Sequence, residues 1–251
     1  MSDRIETPNA CLLIIGNEIL SGKTQDANLK FLGTSLAAIG IRLEEARVLR
    51  DDEDAIIASL NECRTKFTYV FTTGGIGPTH DDITAECVAK AFERTLVLDE
   101  QAAARLKRSG HELNAARLKM AHVPEGADLI DNPLSSAPGF RVENVFVLAG
   151  IPSVARAMFS SLSADLGDGT PIHTRAVDVF LKEGDVAAPL QRIALKYPDI
   201  DIGSYPFSRD GRYGANLVVR GTRPDLIDAV LGEIIAAMTE LGGESSIGAR
   251  S

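Results

Sequence analysis

The first long apolar run, Ala10-Cys11-Leu12-Leu13-Ile14-Ile15, stops at Gly16. Apolar character on successive residues, rather than on alternate ones, predicts a strand buried on both faces and flanked by helices. The nine residues before it are polar and predict no element. Ala27, Phe31, Leu32, Leu36 and Ile39 then recur at helical spacing up to Gly40, which reads as a C-terminal glycine stop. A second strand is predicted over 41–49. Ile56, Ile57, Leu60 and Cys63 mark a second helix, Tyr69-Val70-Phe71 a third strand, and Ile83, Cys87, Val88, Ala91 and Phe92 a helix leading on from Asp82. Further along, Val145-Phe146-Val147-Leu148 reads as another buried strand, and Ala149-Gly150-Ile151-Pro152 starts a helix toward Leu162.

Gly167-Asp168-Gly169-Thr170-Pro171 breaks the pattern and marks a domain boundary. Beyond it the chain predicts strand 176–181, helix 186–195, strand 200–207, strand 213–220 and helix 226–241. Asp210-Gly211 turns between the two adjacent strands. The last helix carries the stripe Leu226, Val230, Ile234, Met238, and Thr222 with Asp225 resembles a capping arrangement. Residues 242–251 read as a frayed tail. The fold expected is α/β: a three-layer α/β/α sandwich with a mostly parallel sheet over 10–166, and a small α+β domain of order β-α-β-β-α over 172–241.

A net charge of −9 argues against a nucleic-acid partner, because a surface for a phosphodiester backbone usually leaves a basic imprint. Cys11, Cys63 and Cys87 each sit in an apolar pattern without paired spacing and read as reduced, packed thiols. No apolar run approaches the roughly 20 residues that span a bilayer. Asp3 and Glu6 leave the N-terminus without a signal-peptide pattern, so a cytoplasmic protein with no membrane partner is expected.

The candidate chemistry centres on Thr72-Thr73-Gly74-Gly75-Ile76-Gly77-Pro78-Thr79-His80-Asp81-Asp82, a glycine-rich turn between a strand and a helix. Glycines let backbone N–H groups approach a phosphate, and the following helix presents unpaired amides and partial positive charge. Asp81 and Asp82 beside such a loop would repel phosphate unless a divalent cation lay between them. The competing reading is a tight turn with an aspartate helix cap. Asn17, Glu18 and Ser21 follow the first strand at the end where open α/β sheets gather ligands, and Glu18 is a candidate metal ligand or an exposed loop residue. Asp51 and Asp52, after the second strand, suit a helix N-terminus and could complete a metal site. Arg105, Lys107, Arg108, His111, Arg117 and Lys119 make 99–120 the most basic segment, either a solvated face or an attractor for an anionic ligand. Ser135 and Ser136 lie in a proline- and serine-rich loop whose hydroxyls and amides are able to hold a phosphate. No lysine follows the glycine loop as in a P-loop, and no Gly-x-Ser-x-Gly setting recommends acyl transfer.

The string Thr73-Gly74-Gly75-Ile76-Gly77-Pro78-Thr79-His80-Asp81-Asp82-Ile83-Thr84 resembles the signature of the molybdopterin-binding (MoaB/MogA-like) family, and within it the CinA-type N-terminal domain. Supporting matches are Ile15 to Gly22, Ala121-His122-Val123-Pro124-Glu125-Gly126-Ala127, Asn132-Pro133, Ala137-Pro138-Gly139-Phe140 and Gly150-Ile151-Pro152. The resemblance implies metal-dependent hydrolysis of an ADP-ribose-like dinucleotide. In that scheme Gly74, Gly75, Gly77 and Thr79 hold phosphate oxygens. Asp82, with Asp51 or Asp52, is catalytic. The cation is of the magnesium or cobalt class, with Asp82, Asp81 and Glu18 as candidate ligands. It also implies a small nucleotide or pterin ligand, molybdopterin included, and a homodimer. A binding module without turnover, or a molybdopterin adenylyltransferase-like enzyme, would use similar parts. Asn17 stands where the pattern usually has Asp, Ser135-Ser136 where it has Gly-Thr, and Ala149 and Val154 also depart from it. The amidohydrolase activity that often accompanies this domain type is not expected of this chain.

Overall fold

A computed structural model of the chain describes residues 7–108, 114–167 and 169–246. Asp3, Glu6, His111, Asp168 and residues 247–251 of the tail lie outside the described residues. The first compact unit takes the described residues up to Ala37 and from Ile41 to Gly169; the second takes Ala38–Gly40 and the described residues from Thr170.

In the first unit β1 (Asn9–Ile15) leads through a four-residue helix α1 (Asn17–Leu20) and α2 (Asn28–Ala38) to β2 (Arg42–Leu49). Gly40, at φ 78°, supplies the left-handed residue that ends α2. Next come α3 (Glu53–Lys66), β3 (Tyr69–Thr73), α4 (Thr84–Ala91), β4 (Leu96–Leu98), α5 (Glu100–Arg108) and α6 (Ala115–Lys119). The run closes with β5 (His122–Pro124), β6 (Asp128–Ile130), β7 (Gly139–Val142), β8 (Val145–Leu148) and α7 (Pro152–Leu162). The six-stranded sheet has the order β2-β1-β3-β8-β7-β6. Neighbours from β2 to β8 pair in parallel, and the last two pairings are antiparallel. β4 and β5 form a separate antiparallel pair.

Side chains alternate across this sheet and build a core on each face. Leu13, Val70 and Val147 meet Ile56 and Leu60 of α3 and Val88 of α4. On the other face Phe71 stacks on Phe146 with centroids 5.2 Å apart and reaches Phe159 of α7, which meets Phe31 of α2 edge-on at 5.6 Å. Layers of α3/α4, sheet and α2/α7 make the expected three-layer, mostly parallel sandwich. Burying apolar surface on both faces of β1 and β3 is what their uninterrupted hydrophobic runs encode.

The second unit has β9 (His173–Val179), α8 (Glu183–Lys196), β10 (Asp201–Arg209), β11 (Arg212–Gly221), α9 (Pro224–Glu240) and β12 (Ser245–Ser246). Its sheet, order β10-β11-β9-β12, is antiparallel throughout. Asp210 and Gly211, at φ 53° and 74°, supply the paired left-handed conformations that a two-residue hairpin turn requires. One core gathers Val177, Leu217 and Val219 of the sheet with Leu190 of α8 and Ile234 of α9.

Several local expectations are corrected. α4 begins at Thr84 after Ile83, and neither Asp81 nor Asp82 caps it. The Thr222–Asp225 cap does not form: Arg223 precedes α9 without a side-chain cap, and Asp225 pairs with Arg223 at 3.2 Å. The start of the supposed tail is ordered, because Ser245 and Ser246 pair with Val179 and Asp178 of β9. β6 and β7 were not anticipated, since three- and four-residue strands are too short to show a period.

Candidate functional site

The parallel strands β1, β3 and β8 end side by side, and the glycine loop grows from the central one. Gly74 donates its N–H to Leu148 O at 3.2 Å, extending the β3–β8 ladder into the loop. It then turns at φ 102°, with its Cα so close to β1 that a Cβ would stand 2.1 Å from Ile15 O. Gly75 follows at φ 68°, packed under Thr84. Thr84 locks the loop to the helix it begins: its Oγ1 donates to Gly74 O at 3.0 Å and its N–H to Gly75 O at 3.0 Å. Beneath the loop the hydroxyls of Thr72 and Thr73 are buried without a hydrogen-bond partner.

Asp82 organises the second half of the loop. Its Oδ2 accepts the N–H of Thr79 at 2.8 Å and also a short bond from the Thr79 hydroxyl. Both donors of Thr79 are therefore taken by Asp82. From α6, Lys119 reaches back and donates to Thr79 O at 2.8 Å. Asp81 is exposed, with its carboxylate 3.9 Å from the exposed His80, and Thr79 holds that carboxyl below the usual aspartate range.

A cavity of about 240 Å³ opens beside this loop. Ile76, Ala85, Leu96, Met120, Pro138 and Phe140 give it apolar walls, while Gly75, Gly77, Asp82, Glu86, Lys119 and His122 bring backbone and charge. His122 Nδ1 lies 2.9 Å from Leu118 O. A carbonyl only accepts, so Nδ1 carries the hydrogen and, in the neutral ring, Nε2 is left as an acceptor. Apolar walls with a few convergent polar groups are the usual make-up of a small-molecule pocket.

The other candidates lie elsewhere. Asp51 Oδ2 accepts the N–H of Asn17 at 2.9 Å and so ties the β2 and β1 loops together. Asp52 caps α3, accepting the N–H of Ala55 at 3.0 Å, and pairs with Arg50 at 3.3 Å. Glu18 is exposed on α1 and folds over Gly16. Among the described residues no three of Glu18, Asp51, Asp52, Asp81 and Asp82 bring carboxylate oxygens within 4.8 Å of one another. Ser135 and Ser136 do not line the cavity. Asn132, buried, holds their loop instead: its Nδ2 donates to Ser135 Oγ at 2.6 Å and Ala137 O at 2.8 Å, and its Oδ1 accepts the Leu134 N–H at 3.1 Å. The left-handed residue there is Ser136, at φ 62°.

Glu86, His122 and Phe140 were not singled out from the sequence. Glu86 lies in the first turn of α4, and because Asp82 precedes that helix no helical period links the two. His122 and Phe140 fell inside quoted motif strings but carried no chemical signature of their own.

Comparison with known proteins aligns with this geometry. Residues 11–167 match the family described as "Probable molybdopterin binding domain", and residues 171–242 match the family described as "FAD synthase, middle domain". A protein of Archaeoglobus fulgidus is 33% identical over 195 residues, 78% of this chain and 84% of its own length. A CinA-like protein of Gemmatimonas aurantiaca is 36% identical over 159 residues, covering 59% of this chain but 37% of the relative. The crystal structure of the protein CinA, of unknown function, from Thermoplasma acidophilum superposes with a TM-score of 0.60 at 34% identity, over 63% of this chain and 98% of that one.

Proposed function

The chain belongs to the molybdopterin-binding domain family, and from that premise we propose that its first unit binds a phosphorylated nucleotide or pterin in the glycine-loop cavity and cleaves a pyrophosphate bond in an ADP-ribose-like dinucleotide with the help of a divalent cation. One observation carries this reading: the glycine loop, Asp82, Lys119 and His122 line a single cavity with apolar walls. In it the ring system packs against Met120 and Phe140, and the phosphates lie toward Gly75 and Gly77, whose backbone can approach closely. Lys119 offsets phosphate charge. Thr79 holds Asp82 through two donors, which fixes the carboxylate and leaves Oδ1 for the ligand side.

Asp82 would hold a magnesium-like ion, a class that binds through one or two carboxylates and keeps substrate phosphate and water as its other donors. Bound there, such an ion would offset charge on the leaving phosphate and lower the pKa of an attacking water. His122, which lines the cavity and holds Leu118 O through Nδ1, would in its neutral form offer Nε2 as a proton acceptor.

The test is AMP release from ADP-ribose, FAD and ATP by chelator-stripped protein, with and without magnesium or cobalt. Metal-dependent release that falls by about 100-fold or more in Asp82→Asn is expected, the scale of losing a group that acts in the transition state. A second reading, a binding module without turnover, is favoured by the structural duties of Asp82 and Asp52, which grip Thr79 and cap α3. Tight nucleotide or pterin binding with no product from any substrate would select it.

A further inference from the structure

The packing of β1, β2 and α3 assembles a second constellation, about 16 Å along β1 from the glycine-loop end at the usual rise per residue. β2 is bulged. Its register with β1 runs Asn9 to Arg42 and Ala10 to Leu43, then Cys11 to Glu45, so Glu44 has no partner. Leu43 lies against Gly33 of α2, whereas Glu45 stands opposite Cys11 on the face that α3 covers. Bulges re-aim side chains in this way. Cys63 comes down from α3 onto the same point, with its Sγ 3.5 Å from Cys11 Sγ. The two sulfurs and a Glu45 oxygen all lie within 4.8 Å of one another, the only such three-donor cluster among the described residues.

We propose that Cys11, Cys63 and Glu45 form a binding site for one divalent ion of the zinc class, with solvent in the fourth position. Zinc–thiolate bonds of about 2.3 Å at the tetrahedral angle place two sulfurs about 3.8 Å apart, so the observed separation needs a shift of only a few tenths of an ångström. A disulfide would need the sulfurs drawn in to about 2.05 Å. Two thiolates and one carboxylate suit a borderline-soft ion, whereas magnesium and calcium require oxygen donors.

The surroundings support the charge balance. Binding exchanges two thiol protons for one divalent ion and leaves the local charge unchanged. Arg47 Nε and Lys66 Nζ donate to the two Glu45 oxygens at 2.6 and 2.7 Å, orienting the carboxylate while leaving each oxygen a lone pair. Such outer hydrogen bonds are the usual support of a ligating carboxylate. The Cys11 and Cys63 side chains are closed to solvent, and Glu45, part-exposed, is the side from which an ion enters. The bound ion would staple the strand pair to the helix.

The experiment titrates reduced, chelator-stripped full chain with cobalt(II), read in the near ultraviolet and visible. A thiolate-to-cobalt charge-transfer band saturating at one equivalent, displaced by zinc and accompanied by two released protons per ion, is expected. Oxygen-only sites, including any at Asp82, give no such band. Cys11→Ala or Cys63→Ala should abolish it; alanine is chosen because buried cysteine packs as a small hydrophobe. Glu45→Gln should weaken affinity by about tenfold or more, and Cys87→Ala should change nothing. Absence of the band in reduced wild-type protein, or its survival in both single-cysteine variants, overturns the proposal whether or not any variant folds.

Discussion

Replacing Gly74 by alanine probes the close approach on which the glycine loop depends. At φ 102° the residue lies outside the conformations a side chain tolerates, and the new Cβ would stand 2.1 Å from Ile15 O. The left-handed backbone alone costs about 1–2 kcal/mol. The clash adds to it, because Ile15 O belongs to the rigid end of β1 and cannot rotate aside. Relieving the overlap means lifting Gly74 out of its place between β1 and β8, which breaks the Gly74 N–H bond to Leu148 O and the Thr84 hydroxyl bond to Gly74 O. At about 1 kcal/mol for each bond lost, the total is roughly 3–4 kcal/mol. Gly22→Ala is the control: φ is 71°, yet nothing lies within 4 Å of its Cβ, so only the backbone term of about 1–2 kcal/mol applies. The difference, about 2 kcal/mol, should lower the melting temperature of Gly74→Ala by roughly 4–8 °C below that of Gly22→Ala for a domain of this size. Thermal unfolding by circular dichroism measures it. Coincident melting of the two variants would refute the steric argument.

Other outcomes follow from the same geometry. Asn28, buried, donates its Nδ2 to Gly150 O at 2.9 Å, so Asn28→Ala should cost about 1–2 kcal/mol in urea unfolding, and an unchanged midpoint would show the bond to be idle. Lys66 and Arg47 hold the Glu45 carboxyl below the ordinary glutamate range, and Arg47 does the same for Glu62. A carboxylate with a lowered folded pKa contributes stability that is present above its unfolded value, about 4.3, and is lost as pH falls through the folded one. Arg47→Gln should therefore flatten the acid limb of the stability profile below about pH 4.3, and identical limbs in both proteins would contradict this. In the second unit Asp178 accepts from Asn216 Nδ2 at 2.6 Å and Arg209 Nη2 at 3.0 Å while itself nearly closed to solvent. Asp178→Ala should destabilise that unit by about 2 kcal/mol, which urea unfolding would register, and Asp178→Asn by less.

The glycine loop was legible because its demands are local. A strand that must end, two consecutive left-handed residues and a helix that must begin each leave a residue-level signature, and Tyr69 to Thr84 carries all three. For Asp52 the sequence left a helix N-terminus and a metal site both open, and the structure shows it capping α3. The competing cap reading of Asp82 failed because a turn aspartate can grip either the helix that follows it or the threonine that precedes it. Three residues of sequence do not distinguish the two, and the bond from Thr79 decides. The short strands β6, at the sheet edge, and β7, beside it, escaped notice for want of length. Their pairing is stabilised by neighbours rather than by their own pattern.

By itself, then, the sequence determined the longer strands and helices, a break in hydrophobic pattern around residues 167–171, and the position of a glycine-rich turn. Each of these is written in a period or a punctuation mark a few residues long. Only the tertiary structure decided which residues meet. Lys119, His122 and Phe140 reach the glycine loop from 40 to 65 positions downstream because β4, β5 and β7 fold back beside it. Cys11, Glu45 and Cys63 converge because a single unpaired residue, Glu44, shifts the register of β2 by one. Contacts of that range depend on strand order and register, which are set by the free energy of the whole packed sheet and leave no trace in any local window of the chain.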